Sequence, residues 1–212
     1  ALFAYAVPRE ASPPAKRAPR QTDLPRRELA RVVLILTLTS TCGSLLFNFT
    51  TNGNGELMSD RLRTVTGDPA LIGALLGLVY VIASFAQLIV GRAIDRYPLK
   101  RLFLIVVLGQ IPLFALAMHA QGWTFYALAI AFMAFVFGAI PFTDALIVRY
   151  VDDRMRSRVA GVRLAIAFGV SSLAVWLLGP LVKANGFAFL LGLMAAIALV
   201  SAAAVTLLPR QR

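Results

Sequence analysis

Gly91-Arg92-Ala93-Ile94-Asp95-Arg96-Tyr97-Pro98-Leu99-Lys100-Arg101 is a knot of charge between two nearly uninterrupted apolar stretches, 70–90 and 102–118. An α-helix rises ~1.5 Å per residue, so about 20 apolar residues cross the ~30 Å hydrocarbon core of a bilayer. Both flanks approach that length. The knot therefore reads as a short turn joining two membrane spans on one side.

Working outward, four more apolar stretches complete a set of six spans: 32–49, 70–90, 102–118, 123–148, 164–182 and 187–208. The segments between them carry turn chemistry: Asn52-Gly53-Asn54-Gly55, Asp68-Pro69, Tyr97-Pro98, Gln121-Gly122 and Asn185-Gly186. Composition agrees. Of 212 residues 59% are hydrophobic and 15% charged, where a soluble domain carries roughly 25% charged residues.

The net charge of +11 is explained by its distribution. Alternating loops place eighteen Lys and Arg on one side, including Arg92, Arg96, Lys100, Arg101, Arg149, Arg156 and Arg163, and only Arg61, Arg63 and Lys183 on the other. The positive-inside rule then puts both ends of the six-span unit in the cytoplasm, with the basic residues as orientation signals and lipid-headgroup partners rather than a nucleic-acid surface. Trp123 and Tyr126 at the outer edge, and Tyr97 and Tyr150 at the inner one, are expected in interfacial belts. The segment 8–31, rich in Pro and basic residues, reads as a cytoplasmic linker, and 1–7 as the tail of a preceding span. One cysteine, Cys42, and one histidine, His119, leave no disulfide framework and no Cys/His metal cluster from this chain. No cofactor is implied.

Polar and small residues mark the faces that carry information in a membrane helix. Thr37, Thr41, Ser44 and Asn48 share one face of the first span, and Gly73, Gly77, Tyr80, Ser84, Gln87 and Gly91 one face of the second. Ala165, Gly169, Ser172, Trp176 and Gly179 align on the fifth. Two readings are open: close helix packing through small residues, or the wall of a polar pathway. Asn and Gln are costly against lipid, so Thr41, Ser44, Asn48, Asn52, Tyr80, Ser84 and Gln87 are the pathway candidates. Gly at roughly 1 kcal/mol relative to Ala disfavours helix at 52–55, so the first span is expected to unwind around 48–56, with a short surface helix at 56–66.

Asp144 is the acidic residue within a span. At 21 residues beyond Trp123 it lies roughly 30 Å deeper, near the cytoplasmic boundary. Two roles remain open: a structural or gating ion pair, with Arg163 or Arg92, or proton coupling. Gly138 and Pro141 can loosen the same helix.

The spacing Gly91-x-x-x-Asp95-Arg96-x-x-x-Lys100-Arg101 resembles the short-loop signature of the major facilitator superfamily of transporters, with Tyr97-Pro98 where that signature usually continues with glycine. The segment 154–161 is similar to the basic loop entering the fifth span of a half in that family, and Gly179-Pro180 to its antiporter motif. The resemblance implies an all-α integral membrane protein of six transmembrane helices arranged as two inverted three-helix repeats. It implies helices seven to twelve of a twelve-helix fold, with 32–208 as the membrane unit, 209–212 as a cytoplasmic tail, and an N-terminal six-helix half as partner. It further implies secondary active transport of a small solute by rocker-switch alternating access, in a bacterial inner membrane, with the loop at 91–101 holding the cytoplasmic side closed and Asp152 or Asp153 facing Arg92 or Arg96. A non-transporting sensor or scaffold of the same fold is the alternative. An intramembrane enzyme is disfavoured, since no carboxylate pair, histidine pair or nucleophile with a base occurs at membrane depth.

Overall fold

A computed structural model describes residues 26–208. The expected span end at 1–7, linker residues 8–25 and the tail at 209–212 lie outside the described residues. Five helical stretches follow one another: α1 (Arg26–Arg61), α2 (Pro69–Ile94), α3 (Leu99–Ala117), α4 (Gly122–Tyr150) and α5 (Asp153–Thr206). All five are long and apolar enough to cross a membrane. The 54 residues of α5 would extend ~80 Å if straight, far beyond a bilayer. The chain breaks at Gly186, whose φ of 77° and ψ of 173° are not helical. Two arms result, 153–185 and 187–206, and with them six spans.

Local chemistry sets the turns. Asp68 caps α2, its Oδ1 accepting from the Ala70 N–H at 3.0 Å, and Pro69 follows at the first helical position, where its missing N–H costs nothing. Arg96 and Tyr97 close the turn after α2 by donating to the Ala93 carbonyl, and α3 starts directly after Pro98. Between α4 and α5 only Val151 and Asp152 are non-helical. The expected basic loop at 149–163 is therefore mostly the first turns of α5, and linker residues 26–31 are already helix in α1.

The expected unwinding of the first span does not occur. α1 runs unbroken through Asn52-Gly53-Asn54-Gly55 to Arg61, and 56–61 is its last turn rather than a separate surface helix. The hydroxyls of Thr50 and Thr51 donate to Leu46 and Phe47 carbonyls, and Asn48 and Asn52 amides to those of Ser44 and Asn48. These groups stay satisfied without leaving the helix. Gly53 faces α5, where a Cβ would stand in ordinary contact with Leu178 and Leu190, at 3.6 and 3.9 Å. Hydrocarbon leaves helix as the only way to satisfy the backbone, and that outweighs about 1 kcal/mol per Gly.

The bundle crosses over itself. α1 packs most extensively on α5, α2 on α4, and α3 on α5 and α4, whereas α2 and α3 touch little. Two apolar cores result. One, around Phe49, Met58, Phe114, Phe125, Phe132 and Leu190, lies toward the end bearing the 62–68 turn. The other, around Leu36, Leu99, Phe103, Phe142, Leu146 and Val205, lies toward the basic turns.

Basic residues tie both ends. Arg61 Nη2 donates to the Met118 carbonyl at 3.0 Å, closing the end of α3, and Lys100 Nζ donates to the carbonyls of Thr206 and Leu208, closing the end of α5. Cations at helix C-termini meet both the unpaired carbonyls and the dipole. Trp123 and Tyr97 are exposed as interfacial residues should be, but Tyr126 and Tyr150 are buried, and Tyr126 donates to the Leu75 carbonyl. The belt expected from four aromatics is thus carried by two.

Gly186→Ala should destabilise the turn between the arms of α5, because its positive φ with extended ψ is a region open almost only to glycine, at about 1–3 kcal/mol. No atom would clash with the added methyl, so backbone strain alone is tested. A lower melting temperature of the purified protein in detergent is the expected outcome.

Candidate functional site

A cavity of about 350 Å³ lies at the seam between the two cores. Its polar lining comes from four helices: Ser40 and Ser44 of α1, Gln110 of α3, Asp144 of α4, and Arg163 and Ser201 of α5. Ser40 and Ser44 are one turn apart on one face of α1. On the first arm of α5, Arg163, Ala167 and Ser171 recur every fourth residue and are all buried, which turns that row toward α1. Ser171 donates to the Ser44 hydroxyl at 2.9 Å and locks the two rows together.

Arg163 dominates the site. Its residue exposure is only 6%. Nη2 donates to Asp144 Oδ1 at 3.0 Å and Nη1 to the Ser40 hydroxyl at 3.3 Å, while Nε is buried with no partner. The carboxylate is placed very differently, with a side-chain exposure of 76% against 8% for that of Arg163. The pair therefore sits at the rim, guanidinium inside and carboxylate outside. Gln110 is 1% exposed. Its amide donates to the Phe135 carbonyl at 3.1 Å and its Oε1 is buried without a partner. The α3–α4 approach that permits this bond is close: a Cβ on Gly109 would lie 2.4 Å from the Phe135 ring.

Most residues expected on a pathway lie elsewhere. Among them only Ser44 lines the cavity. Thr41 donates to the Thr37 carbonyl, Ser84 to that of Tyr80, and Asn48 and Asn52 bond back along α1. Tyr80 reaches α1, donating to the Thr51 carbonyl at 3.4 Å while its oxygen accepts from buried Asn54 at 3.5 Å, and Gln87 is half-buried. Among the described residues, a Cβ added at Gly73, Gly77, Gly91, Gly169 or Gly179 would meet nothing within 4 Å. Packing within this bundle is thus not what those small residues do.

Of the signature loop, Asp95, Arg96 and Arg101 are exposed, whereas Lys100 caps α5. Asp153 pairs with Arg156 at 2.6 Å rather than with Arg92 or Arg96. Gly91 lies in the last turns of α2, and a Cβ added there would meet nothing within 4 Å. Among the described residues no group of His, Cys, Asp and Glu could hold a metal.

A family model described as Major Facilitator Superfamily matches residues 41–212. The chain belongs to the major facilitator superfamily. No curated protein and no solved structure matches it. Superfamily members are transporters rather than enzymes, and the all-helical bundle is an integral membrane unit of that kind, half of the superfamily fold. The ion pair expected between Asp144 and Arg163 or Arg92 forms with Arg163, while sequence reasoning gives no role to Gln110 or Ser171. The fourfold spacing of Arg163, Ala167 and Ser171, and an amide in the middle of an apolar stretch, were the signals available.

Asp144→Asn should cost several kcal/mol of stability, because it leaves the buried Arg163 guanidinium without its carboxylate. Arg163→Met, which removes the charge and keeps an apolar stem in the packed position, should cost less, because the carboxylate it leaves behind stands exposed. Chemical denaturation in mixed micelles checks the asymmetry.

Proposed function

We propose that this chain supplies the C-terminal half of a secondary active transporter that carries a small solute by rocker-switch alternating access, with the cavity at Arg163 taking part in the cycle. The observation that supports this reading best is Arg163 itself. A guanidinium within a membrane helix costs about 2.5–3.5 kcal/mol or more, and this one has a carboxylate at the rim and serines inside to hold it. Such an arrangement contributes little as a fold device and much as a solute contact.

The partner in this reading is an N-terminal six-helix half. Large apolar side chains of α2 and of the first arm of α5 stand exposed, among them Phe85, Leu88, Phe168 and Trp176. Beside them run the small-residue stripes that no helix among the described residues covers, which suit close approach by a second bundle. The exposed charges of Asp95, Arg96 and Arg101 are then placed to make and break contacts with that half on the closed side. Lys100 positions the loop by holding α5. The lysine and arginine distribution supports a cytoplasmic basic end, in a bacterial inner membrane with lipid headgroups as further partners.

Proton coupling falls to Asp144 in this scheme. Its protonation removes the anionic partner of Arg163, so proton binding and the state of the guanidinium are linked. Purified full-length protein in liposomes tests both levels. Counterflow of a solute is the expected result, and its absence for every solute offered, together with ligand-dependent signalling, returns the protein to the sensor class. Asp144→Asn should abolish gradient-driven uptake and leave exchange intact, and unchanged uptake under a pH gradient dismisses the coupling role. In a Cys42→Ser background, Gly67→Cys and Tyr97→Cys should label from opposite faces of the membrane. Labelling from one face ends the six-span reading.

A further inference from the structure

We infer that the cavity at Arg163 takes a small organic monoanion, a carboxylate with an apolar body and one hydroxyl, which binds by replacing Asp144 on the guanidinium. This rests on the transport reading and gives it a solute class.

The guanidinium edge is half used. Nε and Nη2 point to the same side of the planar group, the edge that receives a carboxylate through two parallel hydrogen bonds. Asp144 engages Nη2 alone, through one oxygen, and Nε is buried without a partner. A ligand carboxylate on that edge makes two charge-assisted bonds where Asp144 makes one. Asp144, with three quarters of its side chain in solvent, is released into water at little cost.

Charge limits the choice. One guanidinium, once its Asp144 partner has been released to water, balances a monoanion and leaves a phosphate dianion uncompensated in a low-dielectric site. Gln110 adds a requirement, because its buried Oε1 accepts nothing from the protein, so a ligand hydroxyl satisfies it at the position where a bare hydrocarbon would leave it orphaned. Apart from the hydroxyls of Thr39, Ser40, Ser44, Thr143 and Ser201, the remaining wall is apolar, with Phe47, Phe103, Val136 and Phe168. At about 350 Å³ the space is at the small end of ligand cavities, ~300–1,000 Å³.

Four probes separate these contributions by calorimetric titration of the full-length protein in detergent. 3-Phenyllactate carries all three features, 3-phenylpropionate lacks the hydroxyl, 3-phenylpropane-1,2-diol lacks the carboxylate, and phenyl phosphate substitutes a dianion. Phenyllactate should bind most tightly, the propionate about fivefold more weakly, and the diol at least about thirtyfold more weakly. Arg163→Gln should erase the preference for acid over diol, and Gln110→Leu the preference for phenyllactate over the propionate. Asp144→Asn, which removes the competitor, should tighten phenyllactate by about fivefold, and this gain of affinity needs no fold-sensitive loss to be read. The inference is overturned if the diol matches the acid, if phenyl phosphate is preferred, if Asp144→Asn leaves affinity unchanged or weaker, or if no acid binds at millimolar concentration. Solute counterflow in liposomes without any effect of these acids sinks the anion site and spares transport. Acid binding with no counterflow of any solute does the reverse.

Discussion

Hydrocarbon offers no partner to a backbone N–H or C=O, so each membrane segment must satisfy its own, and most of this structure follows. α1 holds its helix through two Asn-Gly pairs because no other conformation is available at that depth. The same demand explains where the polar side chains went. Thr37, Thr41, Asn48, Thr50, Thr51, Asn52 and Ser84 all turn back to carbonyls three or four residues earlier on their own helices. A polar stripe on a membrane helix is therefore mostly self-satisfied. Contacts between helices include Arg163 with Asp144 and Ser40, Ser171 with Ser44, Gln110 with the Phe135 carbonyl, Tyr80 with Asn54 and the Thr51 carbonyl, Asn54 with Met133, Tyr126 with the Leu75 carbonyl, Arg156 with the Val148 carbonyl, and the two caps by Arg61 and Lys100.

That set divides by position. The caps lie at opposite ends and fix helix termini, each beside one of the two apolar cores. The Arg163, Ser171 and Gln110 contacts cluster near the seam, where Leu46 and Val136 of one core and Phe103 and Val107 of the other face the same cavity, whereas Tyr80 and Asn54 meet beside the first core, against Met133. α4 passes the seam with Pro141 in it, and proline removes one rung of the helical ladder. Gly138, one turn earlier, lets α4 approach Val90 of α2, with only 3.1 Å left for a Cβ. The seam thus combines the cavity, the charge pair and the least continuous backbone of α4.

Much of the fold was legible because span length, turn residues and basic charge are one-dimensional signals. Asp68-Pro69 announced a helix start, and Asn185-Gly186 a break inside what is otherwise continuous helix. The site was less legible for two reasons. Periodicity locates a polar face but not the neighbour that covers it. On α2 the row Gly73, Gly77, Tyr80 fits either helix packing or a pathway wall, and within this bundle Ile72, Val79 and Ala83 are the buried residues. Hydropathy, for its part, set the fifth span to begin at Leu164, one residue after the arginine that organises the cavity. Because Arg163 sits about 15 Å into α5 and turns inward with Ala167 and Ser171, its charge belongs to the interior rather than to the loop.

The asymmetry of the ion pair has a consequence for any cycle the bundle undergoes. A guanidinium buried as Arg163 is needs an anion in every conformation that keeps it dry, since an unpaired buried charge costs several kcal/mol. Ser40 helps as an acceptor but carries no charge. Either Asp144 stays, or another anion arrives as it leaves. Because Asp144 is solvated at the rim, its departure is inexpensive only while a replacement occupies the cavity. On the proposed anion site, an empty cavity holds the α4–α5 contact closed and an occupied one releases it. Occupancy and helix contact are linked by a single charge, without any need for a chain of intermediate residues.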